Sequence, residues 1–254
     1  AAGKAERMEL KVDDDFQEMD YLSLARKVMR SGSVYGAGIL KGPLHLKVKA
    51  RTWKRNPFTG AYTAEEVDKL KPLFEFVPIW SYYPDLTAPS LEAQDGEYER
   101  LVMSRAEIQA LAARPDFFDD RIDDYLDKHE NGNYKARWFE SQIKGEPKSL
   151  QASVQGKESR KFEVLSFWGN VTGREISSGG VAVSDEQMGQ MFHANIWMID
   201  NVVIKAKLAP FGSEIKHYHQ FIFEDDDLSI MGNGLPETLR DSQLSLCETV
   251  RAAL

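Results

Sequence analysis

The sequence is poor in the residues on which several common functions depend. Cys247 is the only cysteine among 254 residues, so the chain forms no internal disulfide. Its five histidines occur in no His-Glu-x-x-His helix, and no Gly-x-Ser-x-Gly elbow is present. No apolar run reaches the roughly 18 residues that a transmembrane helix needs. The sequence therefore gives no sign of a disulfide scaffold, a common hydrolase or a helical membrane span.

A basic surface is missing as well. Lys and Arg total 32 against 40 Asp and Glu, which gives a net charge of −8. Nucleic-acid binding needs clustered cations that neutralise phosphates, so this balance argues against a free-standing nucleic-acid binder. The remaining composition, 42% apolar and 28% charged residues, is ordinary for a globular chain of one large or two small domains.

Periodicity predicts strands in clusters rather than in alternation with helices. Helical spacing covers residues 5–31, where three aspartates at 13–15 are a potential interruption. Alternation predicts a strand at 39–53, and the turn residues at 56–60 predict a hairpin. Further strands are predicted at 100–103, 162–171, 194–199, 202–208 and 217–223, and Asp200-Asn201 predicts a hairpin turn between 194–199 and 202–208. Clustered strands favour an α+β fold, with mixed or antiparallel strands and flanking helices.

Three further segments have clear local signals. Ser104 with Glu107 three residues later predicts a capping box and a helix start. Residues 117–129 predict a helix that is apolar on one face and acidic on the other. The polar stretch 131–160 predicts an exposed connector.

Charge is uneven along the chain. Residues 41–55 contain only basic charges, which is typical of the solvated face of a strand. The acidic helix 117–129 and this basic strand are candidate complementary faces between neighbouring molecules, on charge alone. The same acidic helix resembles a calcium loop only superficially, because Trp138 stands where the twelfth-position glutamate is required.

Two other arrangements suggest ligand chemistry. His217 and His219 are two apart on a predicted strand, so they share a face and could begin a zinc or iron site with Glu214 or His193. No metal spacing is complete, and a structural role is the simpler interpretation; the same holds for the aspartates at 225–227. Glycines at 32, 36, 38 and 42 lie between a helix and a strand, the reverse of a phosphate loop, so we interpret them as a tight turn.

The last residues are the most informative. Gly234 precedes Leu235 and Pro236, which open a predicted helix at 235–254. Its apolar residues at 235, 239, 246, 250 and 254 form one stripe. No capping glycine or breaker ends this helix, and the first residues lack a methionine, so we expect both termini to be truncated.

A set of motifs, in order along the chain, resembles the portal proteins of tailed bacteriophages of the podovirus type. Early members are the small-residue turn at 33–43, the segment 78–85 and the Met-Ser-Arg at 103–105. The residues that carry the later part of the resemblance are Trp168, Gly169, Trp197, Gly234, Leu235, Pro236, Arg240, Asp241, Gln243 and Arg251.

The resemblance implies a structural role. It implies a wing-like α+β domain at 1–234 and the beginning of a stem helix at 235–254, without the later clip and crown. In full-length form the family's subunits form a homo-oligomeric ring of about twelve, a dodecamer with head-to-tail contacts. Double-stranded DNA passes through the ring non-specifically, and an acidic channel suits this because it does not grip phosphates.

The implied partners are the terminase, the capsid and scaffolding proteins, and the head-completion or tail-adaptor proteins. The implied location is the portal vertex of the virion, after assembly in the host cytoplasm; no cofactor, catalytic residue, metal or membrane is expected. The alternatives are a metal-dependent enzyme that uses His217 and His219 on a β scaffold, and a scaffold module that binds only protein.

Overall fold

The computed structural model describes residues 2–55, 60, 62–88, 90, 93–135, 137, 140, 160–209, 216–226 and 229–253. Most of the predicted connector at 131–160 and of the turn at 56–60 lies outside these residues. The α-helices are α1 Ala2–Glu18, α2 Tyr21–Tyr35, α3 Arg105–Ala112, α4 Asp119–Lys128, α5 Gly173–Ser178, α6 Leu235–Thr238 and α7 Arg240–Ala253. The strands are β1 Ala37–Arg55, β2 Tyr62–Val77, β3 Tyr82–Pro84, β4 Gly96–Ser104, β5 Lys161–Thr172, β6 Met191–Ile199, β7 Val202–Leu208, β8 Tyr218–Ile222, β9 Glu224–Asp226 and β10 Ser229–Asn233.

All strand pairs in the described chain are antiparallel, and the predicted α+β class is confirmed. The chain divides into two compact units, one formed by residues 1–79 and 216–254 and the other by residues 80–215. We call them the outer unit and the inner unit by their place in the sequence. The sequence-based division at 234/235 follows a different criterion, the start of the last helix.

The inner unit is built on a five-stranded sheet with the order β3-β4-β5-β6-β7. Its main core lies where α3 and α4 cover one end of the sheet; its fully buried members include Ile108, Ile122, Phe162 and Ile199. A smaller core forms around Ile176 of α5. The predicted hairpin between β6 and β7 is confirmed, and Asp200 at its turn has a φ of 49°.

The outer unit is built on a three-stranded sheet with the order β2-β1-β8. β1 and β2 form the predicted hairpin, paired from Ile39 opposite Val77 to Arg55 opposite Tyr62 with a register shift between Lys41 and Leu44. β8 pairs only with residues 37–41 of β1. The core of this unit is small, and its buried apolar residues in the described chain are Val28, Ala37, Ile39, Val77 and Tyr218.

The predicted helix at 5–31 is corrected in two respects. The break lies at Met19–Asp20 rather than at 13–15, because Asp20 takes a left-handed conformation with a φ of 52° that an aspartate tolerates. The second helix continues through Gly32 and ends only at Gly36. The ring of Phe221 occupies the space that a Cβ at position 32 would need, which explains why a glycine lies inside this helix.

Candidate functional site

The motif residues of the inner unit lie in the middle of its sheet and have packing roles. Gly169 pairs with Gly96 on the neighbouring strand, and a Cβ at Gly169 would lie 2.5 Å from the Cα of Gly96. Trp197 meets the ring of Phe117 edge to face at 5.4 Å, and its indole donates to Asn195 Oδ1 at 3.0 Å. Trp168 lies one strand away, with its ring tilted toward His193. These residues join strands to each other and to the α3–α4 segment.

The motif glycine of the outer unit lies at a close backbone contact that the sequence analysis did not foresee. A Cβ at Gly234 would lie 2.5 Å from the carbonyl oxygen of Val34, and one at Gly36 would lie 2.4 Å from that of Gly232. Gly36 also has a φ of 91°, which side chains rarely adopt. The Gly-x-Gly turn therefore fits directly against the end of α2, nearly 200 residues earlier in the chain.

The helix that follows is almost free of contacts. Leu235 and Pro236 open α6 as predicted, and every residue from 235 to 252 is exposed. The motif residues Arg240, Asp241, Gln243 and Arg251 lie on α7, and their side chains form no hydrogen bond or ion pair with the described residues. The apolar stripe is equally exposed, with Leu239 at 50%, Leu246 at 64% and Val250 at 51%.

The two candidate histidines are engaged with backbone at the start of β8. Nε2 of His219 lies 3.0 Å from the carbonyl oxygen of Gly42, and since a carbonyl only accepts, this nitrogen carries the proton. The carbonyl of His217 accepts from the Gly42 amide at 2.7 Å. Glu214 lies outside the described residues, and His193 belongs to the inner unit. In the described part of the chain, no three His, Cys, Asp or Glu side chains form a potential metal site.

The basic residues of β1 have partners that the sequence analysis missed. Lys49 and Arg51 lie 4.0 and 3.9 Å from Glu66 on β2, and Lys54 forms an ion pair with Glu65. The acids lie 11 to 17 positions later in the sequence and reach β1 only because the hairpin brings the strands together. The acidic helix α4 keeps its exposed carboxylates, with Asp124 bonded to Lys128 one turn on. A match between α4 and β1 of another molecule stays a prediction.

A buried ion cluster lies on the sheet of the inner unit. The Arg100 side chain is 3% exposed and forms ion pairs with Glu140 and, at 3.0 Å, with Glu163. Tyr134 and Arg100 both donate to Glu140. Burial opposes ionisation of Glu140, but these hydrogen bonds outweigh it and hold the pKa of the carboxyl below its usual value. Burial and the bond to Glu140 raise the pKa of Tyr134 to about 12.

Two other buried polar groups occur in the same unit. The Tyr82 hydroxyl donates to Glu97 at 2.5 Å, and Gln94 donates to the same carboxylate oxygen at 2.8 Å. Lys205 lies 3.2 Å from Asp116 and above the rings of Phe117 and Trp197, and its burial lowers the pKa of its amine. A lysine inside the apolar strand β7 was the available signal for Lys205, but its partner Asp116 lies 89 residues earlier in the chain.

Two surface depressions in the described part of the inner unit are lined by residues other than the motif residues. One of about 430 Å³ is lined by Pro115, Asp116, Phe118 and Lys207, among others. Another of about 410 Å³ is lined by residues such as Asn133, Arg137, Glu163 and Asp200. In the first lining Asp116 forms an ion pair with Lys205, and in the second Glu163 forms one with Arg137.

Apolar exposure is concentrated in the outer unit. Of the 25 large apolar side chains that are exposed in the described chain, 19 belong to this unit. Ten of the 19 lie on three extended elements, α1, residues 49–55 and 62–68 of the β1–β2 hairpin, and α7, and four others lie on α2. The most exposed on each are Met8 at 71%, Trp53 at 67% and Leu246 at 64%. Such surfaces mark sites of contact between proteins more often than sites of chemistry.

Comparisons with known proteins add no relative: no protein-family model matches the chain, and no curated protein matches it. Among the helices of the described chain, none has the length and apolar content needed to cross a bilayer. The candidate site is the exposed apolar surface on three elements of the outer unit. We call it the assembly surface and define it by α1, residues 49–55 and 62–68 of the hairpin, and α7.

Proposed function

We propose that this chain is a structural subunit of the portal vertex of a tailed bacteriophage. In this role, copies form a ring through which double-stranded DNA is packaged by a terminase and later ejected. The observation that carries the proposal is the assembly surface, which exposes apolar side chains on three separate elements of one unit. A ring subunit needs at least two different contact faces, because heterologous contacts join unlike surfaces of neighbours.

Other features support the same function. The motifs that resemble podovirus-type portals lie at structurally constrained positions, such as Gly169 against Gly96 and Gly234 against Val34. The net charge of −8 suits a channel wall that must not hold DNA phosphates. Residues 235–252 of the last two helices are all exposed, as expected of an element that packs against other subunits of a ring.

The metal-enzyme alternative has less support. Nε2 of His219 is occupied by a backbone carbonyl, and its two candidate co-ligands do not complete a described site. The absence of a catalytic metal stays a prediction. Metal analysis of the purified protein checks it: stoichiometric zinc, iron or manganese that disappears in His219→Ala would favour the enzyme.

The experiment that tests the portal role is particle analysis of the full-length gene product. Mass photometry should show one high-mass species of about twelve subunits, and negative-stain images should show rings with a central channel. A species that stays monomeric or dimeric over the whole accessible concentration range would contradict the proposal. As a control, the residues after Gly234 are removed by limited proteolysis. Loss of the last helix should then weaken assembly.

A further inference from the structure

The far half of the β1–β2 hairpin is a two-stranded arm. It comprises residues 49–55 of β1 and 62–68 of β2, in register from Lys49 opposite Asp68 to Arg55 opposite Tyr62. β8 pairs with β1 only at 37–41, so neither outer edge of the arm has a strand partner among the described residues. At the usual rise per residue each edge is about 23 Å long. Both edges therefore offer backbone donors and acceptors to another strand.

This arm is poorly stabilised by its own molecule. Trp53 and Tyr62 are 67% and 65% exposed, and every residue of the β2 half is exposed. A two-stranded hairpin with no covered face is marginal in water. Natural proteins shield open edges or pair them, so an arm of this length with exposed aromatic side chains indicates a partner.

The charges of the arm are separated by strand. The β1 half contains Lys49, Arg51, Lys54 and Arg55 and no acid, whereas the β2 half contains Glu65, Glu66 and Asp68 and no base. An approach of two β1 edges sets cations beside cations, and an approach of two β2 edges sets anions beside anions. Like charges on adjacent strands are destabilising and unlike charges are stabilising. Only a β1 edge beside a β2 edge repeats the ion pairs already present within one arm.

From these observations we propose that the β1 edge of the arm pairs with the β2 edge of the arm of a second copy of this chain. The pairing is antiparallel and head to tail, so that successive copies extend one sheet in the order β2-β1-β2-β1. Each copy keeps one free edge of each kind, which allows the contact to repeat until a ring closes. This inference deepens the proposed function and rests on it, since it names the contact that joins neighbours in the ring.

Disulfide trapping between mixed copies tests the pairing. Thr52→Cys places a thiol on the β1 edge strand, and Thr63→Cys or Val67→Cys places one on the β2 strand, on the same face of the arm. All variants also contain Cys247→Ser, because the native cysteine is exposed. One partner has a mass tag. Two β2 positions are used because each comes within disulfide reach of Thr52 in a different register of the pairing between copies.

The expected result is a several-fold higher yield of cross-linked dimer when a β1 variant and a β2 variant are mixed than when either is oxidised alone. A chain with both thiols should give a ladder of higher oligomers. If a β1 variant or a β2 variant oxidised alone gives as much cross-linked dimer as the mixture, like edges pair with each other and the proposal is overturned. Circular dichroism of each variant confirms that it is folded. A charge control, Glu65→Lys with Glu66→Lys, should lower the mixed yield.

The portal role and the arm contact fail in different ways. Mass photometry of the same samples separates them. Rings that form without cross-links in any mixture overturn the arm contact and leave the ring. Mixed cross-links in open chains that never close support the arm contact and argue against the closed channel. A chain that neither assembles nor cross-links at high concentration overturns both.

Discussion

At the scale of single residues, the contact between Gly36 and Gly232 shows that a residue far away in the sequence can exclude a side chain. Gly36 has a φ of 91°, and its missing Cβ leaves room for the carbonyl of Gly232. We predict that Gly36→Ala lowers the free energy of unfolding by about 1–3 kcal/mol, since strain and collision add. Gly3→Ala is the control, because a Cβ at Gly3 meets nothing within 4 Å. Equal urea midpoints for both variants would contradict the close contact.

Arg100 is the residue whose loss should be most costly. Its guanidinium joins Glu140 and Glu163, and Arg100→Met leaves both carboxylates without this partner in a largely buried place. We predict a loss of about 3–5 kcal/mol, the usual result when one partner of a buried pair is removed. Lys128→Met removes an exposed pair with Asp124 and should cost less than about 1 kcal/mol. Chemical denaturation at neutral pH measures both.

The loss of stability caused by Arg100→Met should depend on pH. The pKa of Glu140 is lowered in the folded protein, so its contribution to stability is present at neutral pH. That contribution is lost as the pH falls below about 4.3, the ordinary glutamate value. The stability difference between wild type and Arg100→Met should therefore narrow in acid. If the difference stays constant down to the pH at which the protein unfolds, the pKa of Glu140 is not lowered in the folded protein.

At the scale of elements, two helices begin with the same device. In α3, Ser104 Oγ accepts from the Glu107 amide and Glu107 accepts from the Ser104 amide; Thr172 and Glu175 repeat both bonds in α5. We predict that Ser104→Ala and Thr172→Ala each cost about 0.5–2 kcal/mol. Ser184→Ala is the control, because the Ser184 side chain does not cap the backbone of the helical turn that follows. Unchanged thermal midpoints for the two box variants would refute the assignment.

These elements also show what could be predicted from the sequence. The Ser104 box, the hairpin at Asp200–Asn201 and the helix at 117–129 depend on neighbours in the chain, and each was predicted. The Thr172 box has the same spacing signal, with Glu175 three residues later, but it was not among the predictions. The break at Asp20 was misplaced because conformation, not charge, decided it.

The missed parts of the candidate site depend on contacts across long sequence distances. Glu65 and Glu66 reach the cations of β1 only through the hairpin register. Glu140 reaches Arg100 only after the sheet has formed. Local sequence patterns do not predict pairs between residues so far apart. The sequence alone therefore indicated neither the acidic partners of the basic strand nor the ion cluster.

The last helix gives the second prediction at this scale. Since every residue from 235 to 252 is exposed, α7 is held mainly by its own backbone bonds, and a helix of 14 residues is marginal alone. We predict fast amide exchange beyond Ser245 in the monomer, while the amides of β5 are strongly protected. Assembly should slow exchange in α7. Protection through Ala252 in the monomer that equals that of β5 would mean that the helix has a partner within the same molecule.

At the scale of the whole molecule, the outer unit is discontinuous and the inner unit is continuous. β8 and β10 come from residues after 215, and β8 pairs with β1 near the start of the chain. The outer unit thus needs both chain ends to complete its sheet. It contributes only five of the 19 buried apolar residues of the described chain, although it has most of the exposed ones. Its stability should consequently be the lower of the two.

We predict two thermal transitions, with the outer unit unfolding first because less apolar surface is buried there. The tryptophans separate the two signals, since Trp53 belongs to the outer unit and the other four, Trp80, Trp138, Trp168 and Trp197, belong to the inner unit. Tryptophan fluorescence should follow mainly the second transition, and circular dichroism should follow both. Gly36→Ala should lower only the first midpoint, and Arg100→Met only the second. If one transition is seen by both signals and moves with both substitutions, the two units unfold cooperatively and the molecule behaves as a single domain.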